Sequence, residues 1–272
     1  MRRFGRLAVL AIALLLLLVL VGPASAITDG ELAGESHPEV VLIIMDVGGS
    51  PAYRCSGTML SSTYVLTAGH CTSNFPDEPF TGMRIFYESD VENGNNTYPF
   101  AGGPNSIEAV RWAAHPDYET APFWFNDVGV IELAEPLILD PGDYGTLPEA
   151  DFLDQFKTMR GKNKTWFTAV GYGLQQINPV FVVSEKIRMI AYPRLIQINT
   201  PGFTGDFSLL LSNNHSTGGT CFGDSGGPNF YKDTNIVAGV TSFGINGNCA
   251  GTGGVFRIDR QNVLDFVYDF MD

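Results

Sequence analysis

Between Ile27 and Leu139 the chain alternates short apolar runs with turn-forming clusters. Val40 to Met45, Cys55 to Leu60, Tyr64 to Ala68, Met83 to Tyr87, Ile107 to Ala113 and Val128 to Leu133 all read as strands, and no helical period separates them. So many short strands predict a small barrel or sandwich. Glu92 to Pro104, rich in Asn and Gly, reads as an exposed loop. From about Pro136 to Lys164 alternation fades among Pro136, Pro141, Gly142, Pro148 and Gly161, which marks a connection. Strand-like runs resume at Thr165 to Val170, Glu185 to Tyr192, Ser208 to Leu211, Ile236 to Phe243 and Gly254 to Ile258, so the second half shares the texture of the first without repeating its residues.

The two ends break this pattern. After Asp259, a candidate cap, Val263, Phe266, Val267 and Phe270 recur at helical spacing, which predicts a C-terminal helix laying one apolar stripe on the second half. At the other end Arg2, Arg3 and Arg6 precede an unbroken apolar run from Leu7 to Val21, and Gly22-Pro23-Ala24-Ser25-Ala26 ends in the small-x-small pattern of a signal-peptide cleavage site. Cleavage is expected after Ala26. The rival reading, a retained membrane anchor, needs roughly 20 apolar residues, more than this run supplies.

Loss of residues 1–26 removes three arginines and no acid, taking the net charge from −13 to −16. An acidic chain without clustered Lys and Arg is not built to hold nucleic acid. The four cysteines, Cys55, Cys71, Cys221 and Cys249, imply disulfides in an exported protein. Three pairings exist, of which 55 with 71 and 221 with 249 closes two short loops. A zinc site has no Cys-x-x-Cys or His-x-x-x-His spacing to support it, so no metal and no cofactor is expected.

Cys221-Phe222-Gly223-Asp224-Ser225-Gly226-Gly227-Pro228 places a serine between glycines and beside an acid. Such a loop is either a surface turn or a nucleophile with donors for an oxyanion. A serine nucleophile needs a base, and the histidines are His37, His70, His115 and His215. His70 follows an apolar strand and adjoins Cys71, a rigid setting; His37 and His115 precede prolines and His215 sits in a polar turn, so exposed loops explain them. Asp127 heads the apolar strand Val128 to Leu133, where a carboxylate risks burial unless something pairs with it.

With Thr67-Ala68-Gly69-His70-Cys71, Asn126-Asp127-Val128 and Gly223-Asp224-Ser225-Gly226-Gly227-Pro228 in the order His, Asp, Ser, the chain resembles the trypsin/chymotrypsin-like serine proteases. The resemblance implies an all-β fold of two antiparallel six-stranded β-barrels and a C-terminal α-helix. Residues 1–26 would be the signal peptide, 27–140 the first barrel, 141–164 the connection, 165–258 the second barrel and 259–272 the helix. It also implies a secreted monomeric serine endopeptidase whose partners are polypeptide substrates and protein protease inhibitors.

On individual residues, the resemblance makes His70 the general base, Asp127 its orienter and Ser225 the nucleophile, with the amides of Gly223 and Ser225 as oxyanion hole. A free amine at Ile27 would pair with buried Asp224. No Arg or Lys separates Ile27 from the expected cleavage site, so export alone would expose that amine. Ser242, Phe243 and Gly244 resemble the substrate-binding strand, while Gly219, Thr220, Gly244 and Gly254 fall at the primary pocket, whose entrance Gly244 and Gly254 would leave open. Gly219 stands where trypsin-like members carry an aspartate, so cleavage after large apolar or aromatic residues is expected, not after Arg or Lys. The sequence departs from the family at Gly69, at Tyr172 and at Phe243, the last two in place of tryptophan. Glu88, Asp90 and Glu92 lie where some relatives bind calcium and read as a solvated acidic loop. Asn95-Asn96-Thr97, Asn163-Lys164-Thr165 and Asn214-His215-Ser216 match the N-glycosylation pattern.

Overall fold

The computed structural model describes residues 27–73, 79–118, 122, 125–157, 165–177 and 182–272. The expected signal peptide, the end of the connection and the Asn163 sequon lie outside these residues.

A two-residue strand, β1 (Glu31–Leu32), precedes six strands that close a barrel: β2 (Val40–Val47), β3 (Ser50–Met59), β4 (Tyr64–Thr67), β5 (Phe80–Phe86), β6 (Ser106–Ala114) and β7 (Gly129–Leu133), in the order β2-β3-β4-β7-β6-β5. Closure leaves no strand edge unpaired, and the alternating residues Val41, Ile43, Val65, Ile85 and Ile131 fill the interior. Both faces of β2 are buried: at its start the Val40 carbonyl accepts from Arg188 and the Tyr172 hydroxyl of the second half, and near its end Asp46 pairs with Arg84.

That half is an eight-stranded antiparallel sheet in the order β1-β11-β8-β14-β15-β16-β13-β12. Its strands are β8 (Phe167–Gly171), β11 (Met189–Ala191), β12 (Leu195–Ile198), β13 (Ser208–Asn213), β14 (Pro228–Tyr231), β15 (Val237–Gly244) and β16 (Gly251–Arg257), with the hairpin β9 (Gln176–Ile177) and β10 (Val182–Val183) outside it. The run expected as one strand from Glu185 to Tyr192 stops at Ala191, before Pro193. Beyond the proline Arg194 bridges Trp166, the Leu195 N–H donates to the Thr165 carbonyl, and the Phe167 N–H donates to the Pro193 carbonyl.

The helix α1 (Gln261–Met271) forms as its period predicts, but two expectations about it are corrected. Asp259 does not cap it: both carboxylate oxygens accept from buried Arg257, and one also accepts the Leu153 N–H. A buried cation claims the acid more strongly than the helix end does. Nor does the apolar stripe rest on the second half alone. Phe266 and Phe270 pack edge-on against His115 and Tyr64 of the first barrel region, and Arg111 lies over the Phe270 ring while donating to its carbonyl.

His115 is consequently buried, not exposed, and burial holds its pKa below the ordinary value despite the nearby Asp117 charge. His37 is half-buried, stacked on Phe230 and hydrogen-bonded to Glu39. Exposed His215 meets Asp29.

Candidate active site

Register brings the first two candidate residues together. Thr67 at the end of β4 pairs with Gly129 at the start of β7, so the segment leaving β4 runs beside the segment entering β7. Gly69–Cys71 forms a single 3-10 turn, pinned by the Cys55–Cys71 disulfide. A side chain at Gly69 would meet the buried Tyr118 ring at 3.1 Å, which accounts for glycine there.

In this corner Asp127 is fully buried. One carboxylate oxygen accepts the His70 backbone N–H at 2.9 Å, and both lie within 3.1 Å of His70 Nδ1. Ser242 Oγ, on β15 of the second sheet, donates to the same carboxylate. The charge therefore has three partners from two halves of the molecule, as a buried carboxylate requires. Burial alone would lower the His70 pKa; the charge and hydrogen bond of Asp127 outweigh it and leave the imidazole above its ordinary value.

Ser225 sits between two tight turns. Asp224 N–H donates to the Cys221 carbonyl and Gly227 N–H to the Asp224 carbonyl, with Gly223 and Gly226 at φ of 98° and 78°. Those left-handed conformations favour glycine, and at 226 a Cβ would also strike Thr67 and the Ser56 carbonyl. The backbone N–H groups of Gly223 and Ser225 donate to nothing among the described residues. Gly223, Ser225 and His70 line one cavity of about 530 Å³. No hydrogen bond joins Ser225 Oγ to His70 among the described residues.

Asp224 is fully buried and receives the N–H groups of Cys221 and Gly173, at 2.8 and 2.7 Å. It makes no ion pair among the described residues. Burial pushes its pKa up to about 7, against the two N–H donors and the Arg54 charge. Ile27 is also fully buried, against Met189 and Ala191, and the next residue, Thr28, bridges Gly219 two residues before Cys221.

A second cavity of about 280 Å³ also reaches Ser225, lined by Thr220, Phe222, Ser242, Phe243, Gly244 and the Cys221–Cys249 disulfide, without an acid. Two of the expected pocket residues lie behind this lining. Gly219 is packed under buried Asn213, and the Phe243 ring occupies the space over Gly254, so Gly254 does not hold the entrance open.

Sequence reasoning missed Ser56, Arg188 and Arg54. Ser56 is fully buried: its N–H donates to the Ser225 carbonyl, its hydroxyl donates to the Gly223 carbonyl, and the same oxygen accepts the Tyr172 N–H. Arg188 donates to the carbonyls of Val40, Tyr87 and Ser36 and to the Tyr172 hydroxyl, which itself donates to the Glu88 carbonyl. A phenol serves this junction where the indole that the resemblance implies could only donate. The buried cation thus ties the first barrel to the segment holding Asp224. No pattern in the sequence singles Ser56 out, because its place between Cys55 and Gly57 on β3 reads as a solvent-facing position.

Among the described residues the one grouping of His, Cys or carboxylate ligand atoms is Cys55, His70 and Cys71, where the disulfide takes both sulfurs. In the acidic loop Glu88 accepts from Asn95, Asn96 and Asn105, Asp90 from Asn93, and Glu92 meets Lys186.

Known proteins share this architecture. The solved structure of HL collagenase covers 90% of this chain and 98% of its own at a TM-score of 0.65 and 20% identity. Serine protease 1 of Drosophila melanogaster is 26% identical across 89% of this chain and 84% of its own length. Ovochymase of Halocynthia roretzi is 26% identical over 71% of this chain, which spans only 12% of that longer protein. Residues 33–267 match the family model Trypsin, and the chain belongs to the trypsin family of serine proteases.

Proposed function

We propose that this protein is a secreted serine endopeptidase in which His70 is base and then acid, Asp127 its orienter and Ser225 the nucleophile. The carrying observation is the buried Asp127 carboxylate on His70 Nδ1 and Ser242, with His70 and Ser225 on one cavity. A carboxylate at Nδ1 fixes the tautomer whose Nε2 is free to take the serine proton. The serine oxygen closes on that nitrogen as substrate binds, since catalytic hydrogen bonds are commonly long before then. The unengaged N–H groups of Gly223 and Ser225 are the donors for the oxyanion, a contribution on the order of 3 kcal/mol.

Processing completes the site. Removal of residues 1–26 frees the Ile27 amine, whose ammonium pairs with Asp224 and holds the turn that carries Gly223. Buried Ile27 and the Thr28–Gly219 bridge support this reading. Among the described residues no helix is long and apolar enough to cross a membrane. The isolated Trp166–Arg194 bridge supports closing the second sheet into the second six-stranded barrel, with residues 27–140 and 165–258 as the two halves flanking the cleft.

The acid-free 280 Å³ cavity supports cleavage after large apolar or aromatic residues. Polypeptides are the substrates, a monomer is the working unit, and protein protease inhibitors are partners of the same cleft. A serine-directed phosphonate tests the core of this reading. Covalent labelling of wild type that disappears in Ser225→Ala supports it; an unlabelled wild type leaves a protease-like binding protein instead.

A further inference from the structure

Two cavities meet at Ser225, and only one of them contains His70. In acyl transfer the imidazole that accepts the serine proton gives it to the departing amine, so the leaving half of the substrate lies on the imidazole side. The 530 Å³ cavity therefore faces the residues after the scissile bond, and the 280 Å³ cavity the residue before it. The leaving side is the larger of the two. Its outer walls are Met45, Tyr53, Phe80 and Leu174, with the Tyr53 and Phe80 rings edge to face at 6.1 Å. Arg54 stands on the same cavity beside Gly223 and makes no ion pair among the described residues.

We propose that this cavity selects a large apolar or aromatic side chain within the first two residues after the scissile bond, and that Arg54 excludes lysine and arginine there. The assignment rests on the serine-protease reading. Apolar walls reward each buried methylene, and a cation held outside any ion pair repels a second one in a confined site. Selection by this chain then lies at least as much after the cut as before it.

The test is a peptide series with a constant segment before the cut and Leu, Phe, Gly or Lys at each of the two positions after it. At one position kcat/KM for Leu or Phe is expected to exceed that for Gly by tenfold or more, a pocket-sized discrimination, with Lys lowest. Tyr53→Ala and Leu174→Ala should each compress the Leu-to-Gly ratio, and Arg54→Gln should raise Lys relative to Gly. Two variants on different walls guard against one failing to fold. Enzyme that labels with phosphonate but shows a flat profile, or ratios unchanged in both wall variants, overturns the cavity assignment alone. Protein that neither labels nor cleaves overturns the protease reading and this one with it.

Discussion

The hydroxyl of Ser56 donates to the carbonyl of Gly223 at 3.0 Å, from a strand of the first barrel to the turn that presents the Gly223 N–H. The same oxygen accepts the Tyr172 N–H, and the Ser56 N–H holds the Ser225 carbonyl. One small residue thus fixes both candidate oxyanion donors relative to His70. Ser56→Ala leaves the part-buried Gly223 carbonyl and the buried Tyr172 N–H without partners, an effect of about 1–3 kcal/mol. We expect kcat to fall about tenfold or more with KM little changed, because a shifted donor is felt mainly in the transition state. Rates normalised to phosphonate-titrated sites check this; a loss confined to the titratable fraction, with kcat per site intact, would show Ser56 to be a folding residue only.

The Asp127 carboxylate predicts the pH range in which His70 can serve as the proposed base. Because its charge and hydrogen bond hold His70 above 6.5 despite burial, kcat/KM should decline as pH falls through a midpoint above that value. In Asp127→Asn both effects vanish while burial remains, so the midpoint should drop, and kcat should fall on the order of 10⁴-fold through the wrong tautomer. A pH–rate profile of wild type and variant decides this. An acid limb that stays put in Asp127→Asn would remove Asp127 from its assigned position.

Asp224 predicts that processing changes the pH dependence of stability. With Ile27 still joined to the preceding chain, the folded protein holds a proton on Asp224 up to about pH 7 that the unfolded chain releases near its ordinary carboxylate range. The folded state therefore binds more protons between these values, and its stability falls as pH rises through that window, at up to about 1.4 kcal/mol per unit. In a form beginning at Ile27 the ammonium favours the ionised carboxylate, and this decline should disappear. Urea midpoints at pH 4.5 and 7.5 for the two forms provide the measurement. Parallel changes in both would mean that Ile27 and Asp224 do not meet.

Strand positions were legible wherever one apolar run met one turn, as at Val40–Val47 and Val237–Gly244. β12 and β14 were not: Leu195–Ile198 is short and interrupted by Gln197, and Pro228–Tyr231 starts on a proline and carries buried Asn229. The candidate triad was legible because its loops need particular residues. Its supports were hidden, since Ser56 and Thr58 alternate on β3 as solvent-facing residues do, yet that face is buried against the second half. Helix placement failed for a related reason. Periodicity shows that α1 has one apolar stripe but not that Tyr64, Arg111 and His115 form its bed.

Gly254 carries the last prediction. It was expected to widen the entrance to the primary pocket, but the Phe243 ring lies over it, within 2.3 Å of where a Cβ would stand. Phe203 backs the same ring edge-on at 5.7 Å, so a methyl at 254 must drive Phe243 toward the 280 Å³ cavity that it lines. Gly254→Ala should therefore raise KM for peptides with a large residue before the cut by about tenfold, the scale of one misplaced apolar contact, and affect those with a small residue less. Added Phe203→Ala gives the displaced ring room to retreat and should restore part of the loss. Steady-state kinetics on paired substrates with Phe or Ala before the cut measures both effects. Equal losses on the two substrates would show that the Phe243 ring does not shape this pocket.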